Sequence, residues 1–342
     1  MRNLTFVFCA ALVLPLFAPA LSSADLLDSA KDTFTALPDK PVFKKENAYN
    51  KTKIELGKML FFETRLSKSN VFSCNSCHNL ATGGVDQTSF STGHKWATGG
   101  RNAPTVLNSS LQIAQFWDGR AKDVEAQAQG PILADVEMAA TKELVLKRIS
   151  SMPEYVALFK KAFPEQTEPL TYENIANAIG AFERTLLTPS RFDDFLKGDT
   201  KALDEKEKKG LALFMEIGCS NCHDGIGVGG GSYQPFGLLN QPKNLTDEGR
   251  YGVTKNEDDK YYFKVPLLRN IALTYPYFHD ARTWNLKEAV RIMGWTQLDE
   301  KLTADQVSDI VSFLKSLTGR QPVVTIPILP PSRADTPQPD RN

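Results

Sequence analysis

The chain of 342 residues carries 40 lysines and arginines against 40 aspartates and glutamates, so its formal net charge at pH 7 is zero. No basic stripe interrupts this balance, which argues against nucleic acid or an acidic membrane surface as a partner. The length suits two domains of ordinary size.

The first 24 residues are typical of a secretory signal peptide. Arg2 is followed by an apolar stretch over residues 4–16, and the small residues at 22–24 offer a cleavage site. The apolar stretch is too short for a stable membrane span, and no longer one follows. We therefore expect export to the periplasm, removal of residues 1–24 together with Cys9, and a mature chain with no membrane span.

A short internal repeat divides the rest of the chain. Residues 57–61 (GKMLF) and 210–214 (GLALF) each end a predicted helix. Apolar residues at helical spacing over 175–186 and 307–317 predict a closing helix in each half, and a capping box at Thr303 begins the second. The predicted segments are a signal peptide at 1–24, an N-terminal domain at 25–188, a C-terminal domain at 189–320 and a proline-rich tail at 321–342.

Each repeat is followed by a Cys-x-x-Cys-His pentad, at residues 74–78 and 219–223. A lone Cys-x-x-Cys pair would fit a disulfide, a thioredoxin-like redox site or half of a zinc site. The chain has only four histidines, however, and two of them, His78 and His223, directly follow such a pair. In this motif two thiols form thioethers to one haem, and the histidine binds its iron. The sequence therefore predicts two covalently bound haem c groups, attached through Cys74, Cys77, Cys219 and Cys222.

Haem supplies apolar surface that short helices alone could not bury. We therefore predict a mainly α fold, with two cytochrome c-like haem domains in tandem and their haems facing a shared interface.

The second axial position of each haem iron decides whether that haem carries electrons or binds a substrate. The candidates are two histidines and five methionines: His94, His279, Met59, Met138, Met152, Met215 and Met293. His94 lies in a glycine-rich stretch, residues 91–100, that we expect to form a mobile loop. Met293 ends a predicted helix before Gly294, and a thioether ligand there would raise the haem potential. Spacing alone does not choose Met293 over His279, and it equally allows His94 to be a surface histidine.

Longer stretches around these residues resemble the bacterial di-haem cytochrome c peroxidases, in order and at the family's spacing, over nearly the whole mature chain. The matching stretches are STGH at 91–94, NAPTVLN at 102–108, FWDGR at 116–120, QAQGP at 127–131, VEM at 136–138, LRNI at 268–271, YFHD at 277–280 and AVRIMG at 289–294. The match is far more specific than the two pentads alone.

The resemblance implies the axial ligands. His78 would be the proximal ligand of a low-potential haem where peroxide reacts, and His94 would be the distal histidine that closes this haem at rest. His223 and Met293 would hold the second, high-potential haem. His279 has no ligand role in the resemblance, and we expect it to be a hydrogen-bonded structural histidine.

The resemblance also implies two further site residues. Glu137 would be the acid-base carboxylate at the peroxide site, and Trp117 would lie between the haems. Without the resemblance, Asp135 and Glu143 would be equal candidates for the acid-base role, and Trp117 would simply be a core aromatic.

The activity implied is that of an exported cytochrome c peroxidase, which reduces hydrogen peroxide to water with electrons from a small cytochrome c or a cupredoxin. The N-terminal domain would hold the peroxidatic haem, and the C-terminal domain would transfer electrons. The resemblance further implies a homodimer and a calcium ion bound by Asn102 and the backbone carbonyls of Thr274 and Pro276. One alternative is a di-haem electron carrier, which needs no acid-base glutamate. Another is an enzyme that oxidises protein side chains, as in methylamine utilisation, although that relative carries tyrosine where this chain has Met293.

Overall fold

The computed structural model describes residues 23–341. The predicted signal peptide up to residue 22, with Cys9, lies outside the described residues. Within them the fold is mainly helical, as predicted. The helices are α1 (Ser23–Thr33), α2 (Lys51–Phe61), α3 (Cys74–Cys77), α4 (Val124–Leu133), α5 (Lys142–Ser150), α6 (Pro153–Ala162), α7 (Tyr172–Glu183), α8 (Arg191–Leu196), α9 (Glu205–Glu216), α10 (Tyr251–Thr254), α11 (Leu286–Leu298) and α12 (Ala304–Ser316). Two strands, β1 (Tyr233–Pro235) and β2 (Tyr262–Lys264), pair antiparallel. In this part of the chain, no helix has the length and apolar character needed to cross a membrane.

A glycine at a helix contact organises each half of the molecule. In the first half α2 packs against α7, and a Cβ at Gly57 would lie 1.8 Å from the carbonyl oxygen of Ala178. In the second half α9 packs against α12, and a Cβ at Gly210 would lie 2.0 Å from the carbonyl oxygen of Asp309. Only glycine lets two backbones approach this closely. The sequence repeat is therefore a repeat of helix packing, and one pentad follows the first helix of each pair.

The closing helix α12 begins as predicted, whereas α11 extends further. Thr303 Oγ1 accepts a hydrogen bond from Gln306 N (3.2 Å), and Gln306 Oε1 accepts one from Thr303 N (2.9 Å), which completes the capping box. The prediction that a helix ends at Met293 was wrong, because α11 continues to Leu298. Gly294 is needed there for space and not for a turn, since its Cβ would lie 3.0 Å from the Leu302 side chain.

Each half has its own hydrophobic core, the first formed by residues 56–186 and the second mainly by residues 192–317. The structure differs from the predicted domain division at α1, which chain order had placed in the N-terminal domain. Leu26 and Phe34 are buried in the second core. The Asp193 carboxylate holds the segment there by accepting a hydrogen bond from Leu37 N (2.7 Å).

The proline-rich tail crosses back to the first half of its own chain. Arg148 is fully buried, and its guanidinium donates hydrogen bonds to the carbonyl oxygens of Pro337 (3.2 Å) and Gln338 (3.0 Å). The same guanidinium donates to the carbonyl oxygen of Ser67 (2.6 Å). Val324 packs against the first core. The tail therefore covers the N-terminal half, a surface that the sequence did not identify.

Candidate functional site

The first pentad forms a short helix on the wall of a cavity. Ser73 and Ser76 form a capping box at the start of α3. Cys74, Cys77 and His78 line this first cavity, and both thiols are free. Burial raises the pKa of both thiols, to about 11 for Cys77. Because a reactive redox cysteine has a lowered pKa, this environment argues against a thioredoxin-like site.

His78 and His223 have equivalent surroundings in the two halves. Burial lowers the pKa of both imidazoles, to about 4 for His223. The backbone carbonyls of Pro104 and Pro266 face the respective imidazoles and partly oppose this effect. A neutral imidazole is the form that binds a metal through nitrogen. Each histidine therefore stands in its cavity wall in the protonation state that iron ligation requires.

The second cavity lies in the C-terminal half and is largely apolar. Cys219, Cys222 and His223 line it, with Cys219 beginning a 3-10 turn (Cys219–Asn221). Met293 reaches this cavity from α11 and is the one methionine among the described residues that line it. His223 and Met293, the ligands assigned to the second haem, therefore line the same cavity. That they bind the haem iron stays a prediction.

His279 lines the second cavity as well, but its ring is packed among aromatic side chains. It stacks on Phe263 with ring centroids 4.1 Å apart and meets Trp117 edge-on at 6.1 Å. Burial lowers the pKa of the imidazole. Its Nε2 has no hydrogen-bond partner within residues 23–341, so the expected hydrogen bond is absent at that atom. Aromatic packing, not hydrogen bonding at Nε2, holds this histidine.

The glycine-rich loop of His94 is docked on the segment that carries Glu137. His94 N donates a hydrogen bond to the Glu137 carbonyl oxygen (2.7 Å). A Cβ at Gly93 would lie 2.1 Å from the carbonyl oxygen of Val136. The His94 imidazole is buried with both ring nitrogens unpartnered among the described residues, and it is not part of the first cavity wall. The structure therefore brings the backbone of His94 to Glu137 without placing its imidazole on that wall.

Glu137 is the partly buried carboxylate that faces the first cavity from this segment. Burial raises the pKa of its carboxyl, and the charge of Arg120 partly opposes the increase. The two alternatives from the sequence, Asp135 and Glu143, are exposed and do not line the cavity. A carboxyl with a raised pKa can hold and release a proton closer to neutral pH.

One wall is common to both cavities. Within residues 23–341, seven residues line both cavities: Asn102, Ala103, Pro104, Thr105, Gln112, Trp117 and Lys264. Trp117 Nε1 donates a hydrogen bond to the Asn102 carbonyl oxygen (2.8 Å), and Asn102 N donates one to the carbonyl oxygen of His279 (2.7 Å). The predicted arrangement of two haem domains around a shared interface matches this common wall.

The three residues assigned to calcium, Asn102, Thr274 and Pro276, all line the second cavity. Asn102 Nδ2 donates hydrogen bonds to the carbonyl oxygens of Thr88 (2.9 Å) and Ser89 (3.3 Å), which fixes the orientation of its amide. Neutral amide and carbonyl oxygens suit calcium when waters complete the coordination. Calcium binding stays a prediction for this site.

Comparison with known proteins identifies the family. Residues 51–201 match the model of the di-haem cytochrome c peroxidases, and residues 207–318 match that of cytochrome c. The chain is 50% identical to the cytochrome c551 peroxidase of Pseudomonas aeruginosa, over 94% of this chain and 95% of that protein. This chain belongs to the di-haem cytochrome c peroxidase family. The peroxidase is also 54% identical to the cytochrome c551 peroxidase of Nitrosomonas europaea, over 83% of this chain and 85% of that protein.

A solved structure supports the same fold. The crystal structure of a MauG-like protein associated with microbial copper homeostasis has a TM-score of 0.74 and 29% sequence identity to the peroxidase, covering 83% of this chain and 95% of that chain. The family carries two c-type haems. Both cavities fit that cofactor, because each sets two free thiols and a neutral histidine in its wall.

Sequence reasoning missed two charged residues of the peroxidase cavities. Glu183, at the end of α7, is buried in the first cavity wall. Burial raises the pKa of its carboxyl to about 8, the charge of Glu125 adds to the increase, and Arg184 opposes it. Lys264, at the end of β2, is buried in the wall common to both cavities. Neither residue belongs to a chemical motif, and the only available signal was a charged residue inside an apolar stretch.

Proposed function

We propose that this peroxidase reduces hydrogen peroxide to water in the periplasm, with electrons from a small cytochrome c or a cupredoxin. The observation that carries the proposal is the unequal charge of two cavities that share a wall. Six charged side chains of the described residues line the first cavity: Arg101, Asp118, Arg120, Glu137, Glu183 and Lys264. One of them, Lys264, also lines the second cavity. Peroxide reduction consumes both protons and electrons, so it needs a proton-handling site beside an electron-carrying one.

Glu137 is proposed as the group that moves the proton. When bound, the haems supply an iron centre for peroxide and a store of electrons. The Glu137 carboxylate accepts a proton from peroxide and returns it to the departing oxygen, which leaves as water. Its partial burial supports this role, because the raised pKa lets this carboxylate accept a proton more readily at neutral pH than an ordinary carboxylate would.

His94 is proposed to gate the first cavity. Its backbone bond to the Glu137 carbonyl oxygen supports this role, because a movement of the loop must break that bond or carry Glu137 along. Access to the cavity and the position of the acid-base group would then change together, as expected for a two-state element. The close fit of Gly93 against Val136 makes the docked position a discrete one.

The second cavity is proposed as the electron-entry site. Met293 and His223 would hold a high-potential haem there, because a thioether ligand favours the reduced iron. Trp117 would lie between the two haems, on the wall that both cavities share. We further propose that a calcium ion on Asn102, Thr274 and Pro276 fixes the two halves against each other, and that the enzyme works as a homodimer.

The test uses the exported holoprotein from the periplasmic fraction. Reduced small cytochrome c is supplied as the donor, hydrogen peroxide is added, and donor oxidation and peroxide loss are followed together. We expect two donor molecules oxidised for each peroxide consumed. If peroxide disappears no faster than with free haem while the donor still reduces the protein, the electron-carrier alternative replaces the peroxidase.

A further inference from the structure

Lys264 is the one charged side chain that the described residues contribute to the wall of the second cavity, and it lines the first cavity too. Its side chain is buried, with the residue only 4% exposed. Among the described residues, its ammonium donates one hydrogen bond, to Gln112 Oε1, which is a neutral oxygen. No carboxylate within residues 23–341 lies at ion-pair distance from it, and burial lowers the pKa of the ammonium to about 8.

Burying the Lys264 ammonium in this way destabilises the folded protein unless another group supplies a negative charge. An isolated buried ammonium loses most of its hydration free energy, and a neutral amide oxygen recovers only a part of it. The other cationic side chains of the cavity walls are paired with carboxylates. Arg101 in the first cavity wall pairs with Asp118 and Asp247, and Arg120 pairs with Asp118. Among the lysines and arginines that the described part of the chain contributes to the two cavity walls, Lys264 is therefore the one without a carboxylate partner.

The backbone holds Lys264 between the two halves of the molecule. In β2 its register partner across the sheet is Tyr233 of β1. Its own N–H donates a hydrogen bond to the carbonyl oxygen of Trp117 in the first half (2.7 Å). The ammonium thus belongs to a strand anchored on both sides of the common wall, where Gln112 also lines both cavities.

We propose that the ammonium of Lys264 is the shared counter-ion for the propionate carboxylates of the two haems. Each c-type haem brings carboxylate side chains into a cavity, and these are the anions that the wall lacks. A positive charge held beside a haem favours its reduced form, because reduction removes one positive charge from the iron. Lys264 is then a positioning residue that sets the haem potentials. The inference rests on the two haems of the proposed function and is independent of peroxide as the substrate.

The experiment measures the midpoint potentials of both haems in the holoprotein by spectroelectrochemical titration, without peroxide. Lys264→Gln removes the charge, and Lys264→Arg keeps it. Lys243→Gln removes one charge from an exposed position of the same half and serves as the matched control. We expect Lys264→Gln to lower the reduction equilibrium constant of the second haem at least tenfold, which is about 59 mV for one electron. The first haem should shift less, because Lys264 is one of six charged described residues that line its cavity, whereas it is the one charged described residue that lines the second.

Lys264→Arg and Lys243→Gln should keep the wild-type potentials. Unchanged potentials in Lys264→Gln would overturn the proposal, as would a shift in Lys264→Arg as large as that in Lys264→Gln. If the glutamine variant does not take up haem, Lys264→Arg decides alone, since loss of the second haem's potential with the charge retained contradicts the counter-ion role. Peroxide turnover is assayed separately, so failure of the proposed activity leaves this result interpretable.

Discussion

The same haem-attachment motif lies in the wall of both cavities, but the side chains around it differ in charge and polarity. Each has two free thiols and a buried neutral histidine, placed after the first helix of a glycine-mediated pair. The first cavity adds the carboxyls of Glu137 and Glu183, whereas the second adds Met293 and apolar side chains. The attachment motif therefore sets where a haem is held, and the connecting segments set what that haem can do.

The largest expected effect concerns the carboxyls of the first cavity. Glu137→Gln should reduce peroxide turnover by about 10²–10⁴-fold, the usual contribution of a general acid-base group. The absorption spectra and midpoint potentials of both haems should stay as in the wild type. Steady-state donor oxidation measures the loss, and Glu143→Gln, at an exposed position of α5, is the control. Wild-type turnover in Glu137→Gln would move the acid-base role to Glu183.

Each half also contains a buried ion pair, Glu125 with Arg184 and Asp193 with Arg269. Asp193→Asn should lower the free energy of unfolding by about 3–5 kcal/mol at pH 7, because Arg269 is left without its partner. Burial alone would raise the pKa of Asp193, but Arg269 and the hydrogen bonds outweigh it and lower the pKa. The stabilisation is therefore present above about pH 3.9, the pKa of an unfolded aspartate, and is lost as pH falls through the lower folded pKa.

Denaturant unfolding of the holoprotein at neutral and acid pH measures this difference. The difference in unfolding free energy between wild type and Asp193→Asn should become smaller as the pH falls. Asp39→Asn serves as the control, since the Asp39 side chain is 88% exposed in its pair with Lys197. If this difference in unfolding free energy increased at acid pH, Asp193 would not be held ionised in the folded protein.

The next effect concerns the ligand of the second haem. Met293→Leu should lower the midpoint potential of that haem by more than about 59 mV, a factor of ten, because axial ligands set haem potentials over about 0.8 V. The first haem should keep its potential. Met215→Leu, a substitution in the second core, is the control for packing. If both potentials survive in Met293→Leu, His279 becomes the candidate ligand.

The last prediction concerns stability and compares the two helix contacts. Gly57→Ala and Gly210→Ala should each cost about 1–3 kcal/mol of unfolding free energy, because each new Cβ meets a carbonyl oxygen. Thermal or denaturant unfolding measures the loss. Gly252→Ala should change the free energy of unfolding by less than about 0.5 kcal/mol. Apart from its own helix, no described residue has an atom within 4 Å of the new Cβ there. A large loss in only one half would show that the two contacts are not equivalent.

Local chemistry explains what the sequence determined by itself. Haem attachment needs five adjacent residues, and a helix needs apolar residues at a fixed spacing, so the pentads, α7 and α12 could be predicted from neighbouring residues alone. The Thr303 capping box was predictable for the same reason, because its two partners are three residues apart. The roles of Glu137, Trp117 and Met293 came instead from resemblance to the peroxidase family.

Tertiary structure decided which charges share a cavity. Glu137 faces the first cavity while Asp135, two residues away, is exposed. Lys264 lines both cavities from a strand whose backbone is hydrogen-bonded to Trp117. Tertiary structure also decided that α1 packs in the second core and that the tail covers the first half. These contacts join residues far apart in the chain, and their free energy depends on burial and partners that no local pattern records.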